Sequence, residues 1–368
     1  MAARAFSVVI ALLAAGTLIA IVVMWPGGVD APVSEGLAAE TERAEVTSVT
    51  YEDCPPPQAG ECGTAEVRIA SGPDAGEPTT LPLGGTGLEP ELGPGDEIRV
   101  AKAEGGPTAT STYTLVDFER RGPLVWLAVV FAALVVLFGR LRGALSLVGL
   151  AISLAVVVAF VVPAILDGSA PLAVAIVGSL AIMLATVALA HGLGAKSLAA
   201  MLGTAVSLAL VAVLALAFTN LAHITGLSSE EAAILLQGGA DVSLEGLLLA
   251  GIVIAALGVL DDVTVSQAST VLALRSANPQ LGFRELYSRA LRVGRDHVSA
   301  TVNTLVLAYV GASLPLLLIF SSGEIGLVDA VSTELIAKEV VGTLVGSIGL
   351  IAAVPITTAL AAVLATDR

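Results

Sequence analysis

The sequence predicts an α-helical polytopic membrane protein of about eight transmembrane helices, with a small β-rich, OB-like extracytoplasmic domain after the first helix. Three observations predict it. Hydrophobic residues make up 56% of the 368 positions and charged residues only 13%, roughly half the charged share of a soluble domain. The mean hydropathy is +0.92, which leaves too few polar groups to cover a water-facing surface. A bilayer removes that difficulty by serving as an apolar solvent for the exterior. Finally, the apolar residues fall into runs of about 20, the length that crosses the hydrocarbon core, while much of the acidic charge lies between Val29 and Arg120.

Residues 1–28 form the first element. The apolar run Phe6 to Trp25 follows Arg4 and ends at Pro26-Gly27-Gly28. It exceeds a usual signal-peptide core and adjoins no clear small-x-small cleavage site, so an uncleaved anchor is expected, with a cleaved signal peptide as the competing reading.

Residues 29–121 form the polar domain. Ala44 to Thr50 and Thr64 to Ile69 alternate apolar and polar residues, and Tyr113 to Val116 is β-prone. Gly93-Pro94-Gly95-Asp96 is turn chemistry placed just before the strand-like Glu97 to Val100. Four or five short strands in so little chain suggest a small barrel. Such a module either binds a ligand or partner, or packs as a rigid cap. The two cysteines, Cys54 and Cys62, lie here, without zinc-site spacing and far in sequence from all three histidines. Outside the cytoplasm, a disulfide closing this short Pro-rich loop is expected, with two free thiols as the alternative.

Residues 122–368 form the membrane domain of about seven further helices. The runs are Pro123–Phe138, Ala144–Leu166, Pro171–Ala190, Leu198–Ala222, Leu247–Val265, Val298–Phe320 and Val340–Leu364. Basic residues cluster at Arg140/Arg142, at Lys196 and from Arg275 to Arg295. The alternate loops carry acids, namely Asp167, then Glu230, Glu231, Asp241 and Glu245, then Glu324, Asp329 and Glu334. By the positive-inside rule both termini are cytoplasmic and residues 29–121 extracytoplasmic. The expected location is a bacterial cytoplasmic (inner) membrane, crossed many times; the Ala/Val/Gly/Arg bias is a minor correlate of a GC-rich bacterial genome.

Ionisable groups inside a span are costly, by about 2.5–3.5 kcal/mol at its centre, and so are functional candidates. Asp261 and Asp262, in Gly258-Val259-Leu260-Asp261-Asp262-Val263-Thr264-Val265-Ser266-Gln267, are the clearest. On a continuous helix they point about 100° apart. Either they line a polar cavity that binds a cation or exchanges a proton, or one of them caps a short helix from Val263 to Arg275. The segment 275–297 has apolar residues at 283, 286, 287, 290 and 291 with a basic opposite face. It reads as an amphipathic cytoplasmic helix on the anionic leaflet, or as a regulatory partner site. Asp296, Ser299 and Asn303 then share a face of the seventh span, beside a stripe of Ala300, Thr304, Ala308 and Ala312 expected to pack closely against another helix. Asn303 serves an interhelical hydrogen bond or a ligand. Gly342 and Gly346 give the last span a G-x-x-x-G face expected to pack helices.

The net charge of −15 argues against nucleic acid as a partner. Gly192-Leu193-Gly194-Ala195-Lys196-Ser197 lacks the glycine before lysine that a phosphate loop needs, and neither H-E-x-x-H nor G-x-S-x-G occurs. No catalytic residue, cofactor or metal is expected, and the chain reads as a non-enzyme.

These segments resemble the YibE/F-like family of bacterial membrane proteins. The likeness rests on Gly258 to Gln267, on Gly294-Arg295-Asp296-His297, on Asn303-Thr304-Leu305, on Leu307 to Pro315, and on Gly346 to Leu350 with Pro355. The Pro94-Gly95-Asp96 turn and the order anchor, domain, multispan unit fit as well. The resemblance implies the architecture and carries no catalytic residue. Two functions follow as expectations. One is a permease- or channel-like protein for a small solute or ion, with Asp261, Asp262, Gln267, Asp296 and Asn303 along the path. The other is a non-transporting scaffold or sensor whose outer domain binds a partner. The expected partners are the lipid bilayer, a small solute or ion, and a protein partner or a second copy of the chain.

Overall fold

The computed structural model describes residues 2–27, 41–53, 61–83, 90–102, 113–228, 230–237, 242–323 and 326–367. Two compact units result, one of Met1–Pro32 with Val135–Arg368 and the other of Val33–Leu134.

In the smaller unit, β1 (Thr41–Asp53), β2 (Glu61–Ile69), β3 (Pro78–Leu83), β4 (Glu97–Lys102) and β5 (Tyr113–Phe118) form one sheet of order β3-β2-β1-β4-β5. Every pairing is antiparallel. Ala44, Val46, Ala65, Val67, Ile69, Ile98 and Val100 share the buried face, as the period-two alternation requires. The register slips between Val46 and Ser48 and again between Arg99 and Val100. Such bulges bend a sheet, and here the sheet curls into a half-barrel with its edge strands β3 and β5 side by side. The turn before β4 forms as its residues dictate. Gly95 takes φ +92°, Asp96 accepts from Gly93 N–H at 2.7 Å, and the turn bonds back to Val46. Strand β3, which carries Pro78 and Pro82, had no clear alternating signal. It lies at the sheet edge, where a missing N–H costs least. Cys62 stands opposite Glu52 and is not a free thiol; Cys54 lies outside the described residues, as do Asp241 and Glu324.

The helices are α1 (Ala2–Val23), α2 (Arg121–Val156), a π turn at Val157–Val161 leading into α3 (Val162–Leu166), α4 (Pro171–His191), α5 (Ala195–Leu221), α6 (Glu230–Gln237), α7 (Leu244–Ala277), α8 (Phe283–Ala312), α9 (Leu314–Ser322), α10 (Leu327–Ser332) and α11 (Glu334–Thr366). Among the described residues six helices are long and apolar enough to cross a membrane, or seven if α8 and α9, bent by 62° at Ser313, count as one span. The expected runs 123–138 and 144–166 join in one stretch of helix, interrupted at Arg140 by φ 53° and ψ −131°.

Helices α4, α5, α7 and α11 form the centre of the larger unit. Its outward faces are apolar, as at Val213, Leu216, Leu344 and Ile351, while small polar side chains such as Ser179, Thr204, Ser207, Thr264 and Thr357 are fully buried. That inverted distribution suits a lipid surround. At one end of the bundle the chain termini meet, with Ala2 N–H donating to Asp367 at 2.6 Å. At the other end, Glu334 accepts from Thr225 N–H and Gly226 N–H at 3.1 and 2.6 Å, pinning the chain after α5 to the start of α11.

The segment 275–297 is not a separate surface helix. Its N-terminal part ends α7, and the remainder is the first half of α8, which runs unbroken into the apolar residues that follow. Leu286, Ala290 and Gly294, at every fourth residue, are buried against the bundle, because α11 offers that apolar stripe a protein surface. The basic face stays exposed, with Arg289 paired to Glu285 at 2.5 Å.

Candidate functional site

Helix α7 is continuous from its Ser243 cap, whose hydroxyl accepts from Gly246 N–H, to Arg275 in its last turn. Asp261 and Asp262 therefore sit in mid-helix, and the capping alternative is excluded. Their side chains diverge as a helix demands. Asp261 turns inward beside Thr186 of α4, and its Oδ1 has no partner among the described residues. Asp262 is exposed, within electrostatic reach of His297 on α8. The two carboxylates are thus not one ligand cage.

Gln267 lies about one and a half turns further on and is buried at the junction of α7, α8 and α11. Its Nε2 donates to Ala290 O at 3.0 Å and to Thr358 Oγ1 at 2.7 Å. The amide fits because residue 294 has no side chain: a Cβ there would lie 2.5 Å from Val354 Cγ1 and 2.8 Å from Gln267 Oε1. Gln267 and Gly294, from two separate motifs of the sequence, therefore build one polar lock. A turn earlier, Thr264 and Thr204 share a hydrogen bond of 2.7 Å between α7 and α5.

Asp296 and Asn303 are not brought into this group. Both are exposed on the outward face of α8, together with the stripe Ala300, Thr304, Ala308 and Ala312, which is therefore unpacked within the chain. Gly342 and Gly346 also differ from expectation. A methyl at either would make only ordinary contacts, the nearest being 3.6 Å to Ile252 and 3.7 Å to Leu305. The close helix contacts of α11 fall elsewhere, at Gly349 against Val211 and at Thr357 against Gly203 of α5.

Gly342 and Gly346 instead border a cleft that the sequence did not disclose. At the end away from the termini lie two adjoining cavities of about 300 Å³ each, one between α7, α8 and α11 and the other between α8, α9, α10 and α11. Both are lined by Tyr309 and Glu339, and the one nearer α7 also by Lys338 and Gly251. Deeper, between Ala255, Val259, Leu305 and Gly346, the space shrinks to about 10 Å³. Below that, Val263, Leu350 and Val354 pack with Val259, Val298 and Val302 in one apolar cluster across the seam. The Gln267 lock follows. Lys338 and Glu339 immediately precede the last apolar run, where flanking charges are ordinary; only the packing of Tyr309 opposite them marks a site.

In the smaller unit, Tyr113 is buried and donates to Asp74 at 2.5 Å and to Glu42 at 3.0 Å. Burial, then these carboxylates, push its phenol well above the ordinary tyrosine value. Lys102 pairs with Asp74 at 2.8 Å. Its hydrogen bond, then that of Tyr113, hold the Asp74 carboxyl below the usual range, and Asp74 in turn raises Lys102. Glu119, bonded to the Arg121 N–H and paired with Arg99 at 2.9 Å, is held low as well. These contacts brace the half-barrel's edges and offer no reactive pair.

No curated protein and no solved structure matches the chain. A family model does, over residues 127–367, the stretch that holds the acid pair, the Gln267–Gly294 lock and the cleft. The chain belongs to the YibE/F-like protein family.

Proposed function

We propose that the protein is a permease-like carrier that moves a small solute or ion along the seam between α7, α8 and α11. One observation carries the reading: the seam is an open polar-rimmed cleft at one end, an apolar closure in the middle, and polar groups again at Gln267, Asp262 and His297. That is the layout of a path held shut from one side, with ionisable groups that a bundle of purely structural helices would have no reason to keep. Asp261, with an unsatisfied buried oxygen, borders the same segment of α7.

The finer architecture belongs to the same proposal. A straight helix from Arg121 to Leu166 would measure about 69 Å, more than twice the hydrocarbon core. Taking the Arg140 break as a turn between two spans, and α8 with α9 as one, gives eight crossings with both termini on one side. Lys196, Arg142, Arg275 and Arg289 lie at the end where the termini meet, which supports a cytoplasmic assignment for that end of a bacterial inner membrane. The strand order of the smaller unit, with β3 and β5 adjacent, supports an OB-like barrel.

Reconstitution into proteoliposomes tests the function. Asp262→Asn and Gln267→Ala should each reduce flux of the transported solute while the purified protein stays monodisperse. Full flux in both variants would remove the seam from the path. The exposed polar face of α8 at Asp296 and Asn303 favours a second reading, a scaffold that docks another protein there; a stoichiometric partner lost on Asn303→Leu, with no flux of any solute, would establish it.

A further inference from the structure

We infer that the cleft between α7, α8 and α11 is a binding site for a small zwitterion, an amino-carboxylate in chemical class, held by Lys338 and Glu339. The inference deepens the permease reading and rests on it only for the site's place in a path. Lys338 and Glu339 are consecutive on α11, half-buried, and both face the same cavity of about 300 Å³. Neither forms an ion pair with the other or with any described residue. Adjacent helical positions diverge by about 100°, so the two charges stand apart around one space without neutralising each other. Tyr309 of α8 adds a hydroxyl near Glu339. The remaining lining, Leu248, Gly251, Ile252, Ala255 and Gly342, is apolar.

A ligand with one charge would satisfy one of these groups and leave the other desolvated and unpaired, which is costly. A ligand carrying an ammonium and a carboxylate a few bonds apart satisfies both. The carboxylate goes to Lys338, the ammonium to Glu339 with the Tyr309 hydroxyl beside it, and the side chain to the apolar wall. Cavities of this volume are at the lower bound of small-molecule sites, which limits the ligand to roughly the size of a single amino acid.

The test uses the purified full-length protein in nanodiscs and equilibrium binding of radiolabelled leucine, glycine, phenylalanine and betaine. Leucine has two single-charge counterparts, 4-methylpentanoate without the amine and 3-methylbutylamine without the carboxylate. At least one zwitterion should bind, and both counterparts of leucine should compete at least tenfold more weakly than leucine. Lys338→Met should abolish the preference for leucine over the amine, and Glu339→Gln the preference over the acid. Melting curves of both variants confirm that they fold. Absence of binding by every zwitterion, equal competition by the single-charge compounds, or unchanged selectivity in both variants would overturn the inference. Flux assays on the same zwitterions separate it from the permease reading: binding without flux leaves the site and defeats the carrier, whereas flux of another solute without zwitterion binding does the reverse.

Discussion

Replacing Gly294 by alanine should destabilise the membrane unit, and the size of the effect follows from the lock around it. The added Cβ would lie 2.5 Å from Val354 Cγ1 and 2.8 and 3.0 Å from the Gln267 amide, well inside contact distance. Neither neighbour has room to yield. Val354 is 2% exposed and Gln267 4%, and the amide is held by bonds of 3.0 and 2.7 Å to two different helices. Overpacking of this kind costs about 2 kcal/mol, or roughly 4–8 °C in melting temperature for a unit of this size. Gly258 provides an internal control. It lies in the partner motif, also within a helix, but a Cβ there meets nothing within 4 Å, so Gly258→Ala should gain up to about 1 kcal/mol from helix propensity. Thermal unfolding of the detergent-purified protein, followed by tryptophan fluorescence, should move down for the first variant and stay or rise for the second. Adding Gln267→Ala to Gly294→Ala should recover part of the loss, since contacting residues are not additive. Equal melting of the two glycine variants, or strict additivity in the double variant, would refute the lock.

Thr264→Val removes the hydrogen bond to Thr204 and should cost about 0.6 kcal/mol, the average for such bonds between membrane helices, measured by the same melts. In an alkaline difference titration at 295 nm, parent minus Tyr113→Phe should show its midpoint above the ordinary phenol value of about 10, because burial and two carboxylates oppose ionisation; a midpoint at or below that value would contradict the buried geometry. The Asp74–Lys102 pair sets a pH window for the smaller unit. Asp74, held low, stabilises above the ordinary carboxylate value of about 3.9 and loses that contribution as pH falls through its folded value. Lys102, held high, stabilises below about 10.4 and loses it as pH rises through its own. Lys102→Met should therefore speed proteolysis of the smaller unit at neutral pH while leaving its rate at strongly acid pH unchanged. Mass spectrometry of the unreduced protein should find Cys54 and Cys62 joined, and alkylation of both without prior reduction would disprove the bridge.

Much of the site chemistry was legible in the order of residues, but its grouping was not. Asp261 and Asp262 stand out because an ionised group in an apolar run is expensive wherever it points; which of them faces inward depends on the rotation of α7 against α4. Gln267 was singled out as a polar residue of a span, whereas its role depends on Gly294, 27 positions away and brought opposite only by the antiparallel return of α8. The G-x-x-x-G face at Gly342 and Gly346 does meet Ile252 and Leu305 of the neighbouring helices, but only at ordinary contact distance, because small residues allow close approach and do not enforce it. Lys338 and Glu339 look like ordinary flanking charges until Tyr309 is set across from them.

Composition and local spacing settled the apolar solvent, the presence of several long apolar helices, the alternating strands of the smaller unit and the turn at Gly95. Each of these is a short-range or one-dimensional property, decided by transfer free energy and backbone sterics. The tertiary structure alone decided that 275–297 packs onto the bundle, that the carboxylates part company, and that a cleft opens between α7, α8 and α11. Those outcomes depend on which helix faces which, and helix pairing in lipid is set by side-chain packing and interhelical hydrogen bonds that no single helix carries in its own sequence.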